Sequence, residues 1–257
     1  MNGVNIKDGI SYNDGKLDID LHKDWYGDIV LLLKPSLNNK VFSRSGISVF
    51  FGHTLVKPEF KGDDEKRNFV RTAIKNFHSL PSNNQKDILT LINESIKKLN
   101  SVKPLNTFDM VVSVESTAPL NKVLIQQFKP YLRQDAVVVD DLFVKNTIDQ
   151  VDLNWEMLDR EKSEKTKEQV LDLYNKIIKS KQLFFIKDLR TGFRRYFINF
   201  LKFKDSHQKQ TFESIFNKNV LLIDDTVGEV STFRDMIRLL TEYKPKECFC
   251  YAFLKDY

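Results

Sequence analysis

The sequence predicts an α/β fold in which helices flank a parallel sheet, preceded by a β-rich and helical-hairpin region. Two observations support this fold class. After Pro104, short apolar runs alternate with amphipathic helical stretches, a pattern typical of a parallel sheet. Before Pro104, β-like runs come first and helical stretches follow them. The predicted boundary therefore separates an N-terminal region, residues 1–104, from a core, residues 105–257.

The N-terminal region is predicted to contain a small antiparallel sheet and then a helical hairpin. Apolar runs at 17–21, 29–33 and 47–51, separated by turn residues, indicate the strands. Between Asp63 and Leu99, apolar residues recur at helical spacing in two stretches that a Pro-Ser-Asn-Asn turn separates. We interpret this region as a hood or a partner surface.

The core is predicted to consist of alternating strands and helices. The predicted strands are 110–114, 136–139, 183–186, 220–223 and 248–254. The predicted helices are 120–132, about 160–181, and a last one that contains Phe233, Met236, Ile237 and Leu240. Parallel sheets place their ligand sites at the carboxyl ends of strands, where loops meet helix N-termini. Candidate functional residues are therefore expected in the loops that follow the strands.

Composition and charge exclude several classes of protein. Of the 257 residues, 41% are hydrophobic and 29% are charged, which is ordinary for a folded chain. The net charge of +5 does not by itself indicate a nucleic-acid binder, and the four histidines show no metal-ligand spacing. The apolar runs are too short to span a bilayer, and the i, i+2 spacing of the two cysteines is poor for a disulfide. We expect a cytoplasmic protein with no membrane partner.

The strongest candidate site follows the apolar run Val220–Ile223. Asp224 and Asp225 come at the end of this run, and a loop leads from them into the last helix. A nucleoside-triphosphatase would need a glycine-rich phosphate loop, which the chain lacks, and a receiver-type domain would need further strand–helix units after the acids. A second interpretation of the loop stays open, because residues 232–235 form a capping-box pattern that simply starts a helix.

Two other strand ends carry polar residues. The turn at residues 116–119 either offers N–H groups to an anion or forms an ordinary helix start with a hydroxyl cap and a proline. A second acid pair, Asp140 and Asp141, follows an apolar run but precedes no small-residue loop. We interpret this second pair as solvated strand-end acids and not as part of a phosphate cradle.

The most basic stretch of the chain extends from Lys187 to Lys204. It contains Arg194 and Arg195, whose rigid and permanently charged forks suit a polyphosphate. Phe and Tyr residues alternate with the basic ones, and these aromatics either pack in the core or stack on nucleic-acid bases. Core packing is the preferred interpretation for most of them.

These segments together resemble the type I phosphoribosyltransferases, and among them the ComF-like proteins. The resemblance rests on the apolar strand, the acid pair, the spacing from Asp224 to Thr232, and the helix and strand that follow. The stretch Leu142–Gln150 is similar to a ComF-like pattern of a basic residue, Thr and Gln. Arg194, Arg195 and Asn199 correspond to the Arg- and Asn-containing segment before the acid pair of such proteins. The resemblance covers about residues 105–257.

The resemblance implies a glycosyltransferase that binds phosphoribosyl pyrophosphate and transfers ribose 5-phosphate. Asp224 and Asp225 would hold the ribose hydroxyls, as carboxylate acceptors can. The loop and helix start would hold the 5′-phosphate, through the residues Thr226, Val227, Gly228, Glu229, Val230, Ser231 and Thr232. The pyrophosphate would be held by Ser116, Thr117, Ala118, Arg194 and Arg195. Mg²⁺ would be bound mainly through the phosphates of the ligand.

A non-catalytic function on the same fold is the alternative. The family usually has Thr-Thr-Gly where this chain has Gly228-Glu229-Val230, so a carboxylate enters the phosphate loop. This difference favours a nucleotide-sensing module, or one associated with nucleic acid, that keeps the fold without the transfer reaction. The sequence is compatible with an oligomer and does not indicate which heterocyclic base would accept the ribose.

Overall fold

The computed structural model describes most of the chain from residue 71 onward and shorter segments before it. The described residues are 10–13, 16–19, 33–35, 47, 49–55, 71–80, 82–116, 119–147, 150–180, 189, 191–207, 214–227 and 230–255.

Among these residues, seven strands form one sheet whose five central strands are parallel. In spatial order they are β3 (Leu33–Pro35), β4 (Val49–Leu55), β11 (Glu247–Lys255), β10 (Asn219–Val227), β5 (Met110–Val114), β6 (Val137–Lys145) and β9 (Leu201–Phe203). The edge strands β3 and β9 are antiparallel to their neighbours. Two antiparallel pairs belong to separate small sheets: β1 (Ile10–Asn13) with β2 (Lys16–Ile19), and β7 (Asp152–Leu153) with β8 (Phe197–Ile198).

The helices pack on both faces of the sheet. Those described are α1 (Ser82–Val102), α2 (Leu120–Phe128), α3 (Trp155–Asp159), α4 (Glu164–Ser180) and α5 (Ser231–Thr241), and residues 71–75 are also helical. We call the face that buries Leu221 and Ile223 the first face, and α1, α2 and residues 73–80 pack there. The second face buries Val220 and Leu222, and α4, α5 and residues 196–201 pack on it. None of the described helices is long and apolar enough to cross a lipid bilayer.

The strand pattern explains this arrangement. Every residue of β5 is buried, as is the run Val220–Ile223 of β10. Successive side chains of a strand point to opposite faces, so a continuous apolar run needs a covering layer on each side. The two hydrophobic cores supply these layers, and the sequence prediction of a mostly parallel α/β sheet with flanking helices is confirmed.

The N-terminal region contains one strand that the sequence interpretation placed in the wrong sheet. The run at 47–51 was predicted to belong to a small antiparallel sheet, but β4 pairs in parallel with β11 of the main sheet. Val49, Phe50 and Phe51 are all buried, as a strand covered on both faces requires. The main sheet therefore includes residues from both sides of the predicted boundary at 104, and the separation into two domains stays a prediction.

Other predicted elements are recovered to different extents. The second helix of the hairpin is α1, and part of the first corresponds to the helical residues 71–75. The strand predicted at 110–114 is β5, with the same bounds. The strands predicted at 220–223 and 136–139 are longer than expected, and each extends through its acid pair. The strand predicted at 183–186 lies outside the described residues.

Candidate functional site

The candidate site lies where two neighbouring parallel strands send the chain to opposite faces of the sheet. β5 leads into α2 on the first face, whereas β10 leads into α5 on the second face. The two strands are adjacent, with Leu222 aligned with Val112. Such a topological switch point opens a crevice beyond the carboxyl ends of the strands, and ligands of parallel sheets bind there. Both strand–helix junctions that the sequence singles out lie at this point.

The acid pair belongs to the last part of β10. Asp224 is aligned with Ala252 of β11, so the strand ladder continues through the acids instead of ending before them. Asp225 is buried, with 7% of its side chain exposed, and its Oδ1 atom lies 2.8 Å from Nζ of Lys75. The backbone N–H of Asp225 donates to Oδ1 of Asp224 at 2.8 Å. The two carboxyl groups are therefore held by different partners.

Burial and charge make Asp224 the acid that titrates near neutral pH. Desolvation and the negative charge of Asp225 raise the pKa of Asp224 to about 7, against the opposing effect of Lys75. Lys145, at the end of β6, also acts on Asp224 and lowers its pKa. A carboxyl group with a pKa close to the working pH can both accept and donate a proton or a hydrogen bond.

The predicted phosphate loop is described only in part. Thr226 and Val227 continue β10, and Gly228 and Glu229 lie outside the described residues. Val230 is the N-cap residue of α5, and its φ of −69° lies outside the left-handed region. A branched residue is therefore accommodated at this position without backbone strain. Ser231 is buried and Thr232 is partly buried in the first turn of the helix.

The capping-box interpretation of this loop is wrong. α5 begins at Ser231, so Thr232 lies inside the helix and not at its cap. Asp235, the other residue of the predicted box, accepts hydrogen bonds from the backbone N–H groups of Phe200 and Leu201. Val230 has no side-chain acceptor, and the structure shows no side-chain cap from it. The first N–H groups of α5 therefore lack the partner that the sequence pattern suggested.

The junction after β5 forms the other side of the switch point. Glu115 donates its backbone N–H to the carbonyl of Phe143 at 2.6 Å, and Ser116, which follows it, is partly buried. Thr117 and Ala118 lie outside the described residues. Pro119 is the N-cap residue of α2, so the predicted hydroxyl cap with proline in the first turn is not the arrangement found.

Two buried polar atoms at these junctions have no hydrogen-bond partner within the described part of the chain. They are Oδ1 of Asn121, in the first turn of α2, and Oγ1 of Thr226, near the end of β10. Buried polar groups nearly always have a partner, so an atom without one is a candidate contact for a ligand or water. One such atom is found at each of the two junctions.

The predicted arginines lie on the second face, beside α5. Arg195 pairs with Glu161 at 2.9 Å and lies over the ring of Tyr196, 4.7 Å from its centroid. Arg194 donates from Nε to the carbonyl of Leu189 at 3.2 Å. Arg234 of α5 donates to the carbonyl of Arg195 at 3.2 Å, which ties this segment to the helix. The guanidinium group of Arg195 is thus already engaged by protein groups.

The second acid pair lies in a β-bulge. Val112 is aligned with Val139 and Val114 with Phe143, so residues 140–142 of β6 lie opposite Ser113 alone. Nζ of Lys204 lies 2.5 Å from Asp141 and 2.9 Å from Glu115. The interpretation of Asp141 as a merely solvated acid is therefore wrong, because it forms a charged cluster at the end of β5. Bulges of this kind re-aim side chains next to functional sites.

The described residues contain no cluster that would hold a metal ion by itself. No three His, Cys, Asp or Glu side chains are grouped suitably within this part of the chain. His53 is buried in β4, and burial with the nearby Lys98 lowers its pKa to about 4. The carboxylate oxygens of the acid pair are ligands that suit Mg²⁺. However, Asp225 already forms an ion pair with Lys75. A binding mode mainly through ligand phosphates stays a prediction.

Sequence reasoning missed a cation, a contact and a backbone irregularity. Lys75 reaches Asp225 from the N-terminal region, and no local motif marks it. Lys204 was noted as the end of the basic stretch, but its contact with Asp141 was not predicted. The bulge at residues 140–142 was also missed, although two polar residues inside an apolar strand were a usable signal.

No protein-family model matches the chain, and no curated protein matches it in sequence. Function is therefore inferred from the geometry of the switch point.

Proposed function

We propose that this protein binds phosphoribosyl pyrophosphate or a related nucleotide at the switch point between β5 and β10, and that it transfers ribose 5-phosphate. The observation that carries this proposal is the arrangement of the two junctions. An acid pair and the start of α5 follow β10, and the start of α2 follows the adjacent β5. One crevice thus adjoins carboxylates and two helix N-termini, which suit a polyol and phosphates respectively.

The chemistry assigns a role to each part of the crevice. Asp224 accepts hydrogen bonds from the ribose hydroxyls when it is ionised, and the N–H groups at the start of α5 receive the 5′-phosphate. The start of α2 faces the pyrophosphate. The Oγ1 hydroxyl of Thr226 donates to a phosphate oxygen, whereas Oδ1 of Asn121, an acceptor, takes a hydrogen bond from a ribose hydroxyl or from water. Positive charge develops on the ribosyl carbon as pyrophosphate leaves, so fixed carboxylates stabilise that transition state. Mg²⁺ bound with the ligand would neutralise the leaving group.

Calorimetric titration with phosphoribosyl pyrophosphate and Mg²⁺ tests the binding step. We expect saturable heat with the wild type and none with Asp224→Asn combined with Asp225→Asn. Asp159→Asn, an exposed acid of α3, is the matched control and should bind as the wild type does. Absence of heat at millimolar ligand would refute binding, and unchanged binding by the double variant would refute the site.

A non-catalytic nucleotide-binding module is the second candidate function. The specific observation in its favour is that Asp225 is already paired with Lys75 and almost fully buried, so one acid of the pair is not open to a ligand. Pyrophosphate release, measured with a panel of purine and pyrimidine bases, separates the two candidates. Binding with release supports the transferase, and binding without release supports the module.

Fluorescence polarisation with short RNA and DNA across a range of salt tests a nucleic-acid partner. A cytoplasmic location belongs to either candidate.

A further inference from the structure

Lys75 comes from the N-terminal region and is held next to the acid pair by its neighbours in sequence. Ala73 and Ile74 are buried in the hydrophobic core of the first face, and Phe77 is buried there as well. The same core contains Leu221 and Ile223 of β10, which precede the acids. Because apolar residues on both sides of Lys75 are packed, its backbone has a defined place relative to β10.

The ion pair between Lys75 and Asp225 is partly buried. Nζ and Oδ1 are 2.8 Å apart, and the side chains are 33% and 7% exposed, respectively. A carboxylate in such a place is strongly unfavourable without a cation, so Lys75 compensates the charge of Asp225. An acid committed to this pair is poorly suited to exchange partners with a ligand.

Asp224 has a different environment, although it is adjacent in sequence. The charged groups that act on it are Asp225, Lys75 and Lys145. Asp225 raises the pKa of Asp224, whereas both lysines lower it, and burial has the largest effect. The state of Asp224 therefore depends on whether Lys75 and Asp225 remain paired.

We propose that Lys75 is a positioning residue of this site, which fixes Asp225 in an ion pair and leaves Asp224 as the acid whose protonation controls ligand affinity. The assignment extends the site to the N-terminal region, since residues of the core alone do not supply this cation. The control of ligand affinity rests on the proposed function, whereas the coupling between Lys75 and Asp224 does not.

Carboxyl ¹³C NMR titration of the ligand-free, full-length protein tests the coupling directly. In Lys75→Met the midpoint for Asp224 should rise by about one pH unit, because a nearby cation is lost. Lys75→Arg should restore the midpoint of the wild type, and Lys97→Met, at an exposed position of α1, should not change it. An unchanged midpoint in Lys75→Met would overturn the proposal.

A charge-balanced variant keeps the test decisive if Lys75→Met does not fold. Lys75→Met combined with Asp225→Asn removes both members of the ion pair and leaves no buried unpaired charge. Its Asp224 midpoint should lie above that of Asp225→Asn alone, because the positive charge of Lys75, which lowers the pKa of Asp224, is then missing. Equal midpoints in these two variants would contradict the inferred coupling.

Affinity for phosphoribosyl pyrophosphate with Mg²⁺, measured from pH 6 to pH 8.5, tests the link to the ligand. Affinity of the wild type should rise severalfold as Asp224 ionises, with a midpoint near its titration in NMR. In Lys75→Met the affinity midpoint should move upward with the NMR midpoint, and an affinity profile that stays in place would overturn the positioning role. If no variant binds, the proposed function fails, and the ligand-free titration decides the role of Lys75 by itself.

Discussion

Asp224 and Asp225 show how one step along a strand separates two identical side chains. Neighbouring residues of a strand point to opposite faces, so Asp225 forms an ion pair with Lys75 beside the first-face core while Asp224 points to the other face of the strand. Burial and the charge of Asp225 then raise the pKa of Asp224 to about 7. The pair thus combines a fixed carboxylate with an acid that titrates close to neutral pH.

Replacing Asp224 should stabilise the protein at alkaline pH. The pKa of Asp224 rises from 3.8 in the unfolded chain to about 7 in the folded protein. Between these two pH values the unfolded chain has already lost the proton that the folded protein still binds, so the free energy of unfolding falls as the pH rises. Asp224→Asn removes that loss. We expect it to raise the free energy of unfolding by about 2 kcal/mol at pH 8, after allowance for solvent screening, and to change it little near pH 4.

Urea denaturation at both pH values measures this effect. Asp159→Asn serves as the control, because Asp159 is exposed on α3 and should give no change at either pH. A loss of stability in Asp224→Asn at pH 8 would show that the ionised form is favoured by the fold. The same substitution should weaken ligand binding, as expected when a functional site carries strain.

At the scale of elements, Asp235 joins α5 to the segment before β9. It is fully buried and accepts from the backbone N–H groups of Phe200 and Leu201, with Arg238 at 3.6 Å. Asp235→Ala leaves two buried donors unpaired, and we expect it to lower the free energy of unfolding by about 3 kcal/mol. Asp235→Asn keeps an acceptor oxygen and should lower it by less. Equal losses in the two variants, measured by denaturant unfolding, would contradict this assignment.

The contact between β4 and α1 depends on a glycine. A Cβ atom at Gly52 would lie 2.2 Å from Oγ and 2.8 Å from Cβ of Ser95, so the helix has to shift if any side chain is added. Gly52→Ala should therefore lower the free energy of unfolding by about 2 kcal/mol through overpacking. Gly192→Ala is the control, because a Cβ there meets nothing within 4 Å. A neutral Gly52→Ala in thermal or denaturant unfolding would show that α1 does not pack this closely.

Periodicity predicted most elements of the core, but not the ends of its strands. β5 and α1 follow directly from their apolar patterns, whereas β10 and β6 extend through acid pairs that looked like strand ends. A strand ends where its hydrogen-bond partners end, and β11 continues to Lys255 beside β10. The capping box failed for a related reason: Asp235 is engaged by backbone groups about 35 residues away in sequence.

At the scale of the whole molecule, strand order creates the candidate site. The switch point exists because β5 and β10 are neighbours, although more than a hundred residues separate them in sequence. Alternating strands and helices predict a parallel sheet without predicting which strands are adjacent. The acid pair was therefore predictable as a candidate from its motif and β5 from its apolar run, whereas neither the pairing of β5 with β10 nor the contact of Lys75 was predicted.

Removing the N-terminal region should destabilise the core. β4 covers one edge of β11, and α1 covers part of the first face, so a fragment of residues 105–257 would expose both. We expect this fragment to lose cooperative thermal unfolding or to aggregate, as measured by calorimetry and light scattering. A monomeric fragment that unfolds cooperatively near the temperature of the full chain would instead support two independent domains.

The most direct test of a ligand site at the switch point is a map of backbone amide shifts on addition of phosphoribosyl pyrophosphate with Mg²⁺. We predict saturable shifts at residues 115–121 and 224–232, on both sides of the β5–β10 crevice. Residues at the amino ends of the strands, where Asp109 before β5 pairs with Arg133 at 2.8 Å, should not shift. Shifts confined to these amino ends, or no shifts at millimolar ligand, would contradict the assignment of this crevice as a phosphoribosyl site.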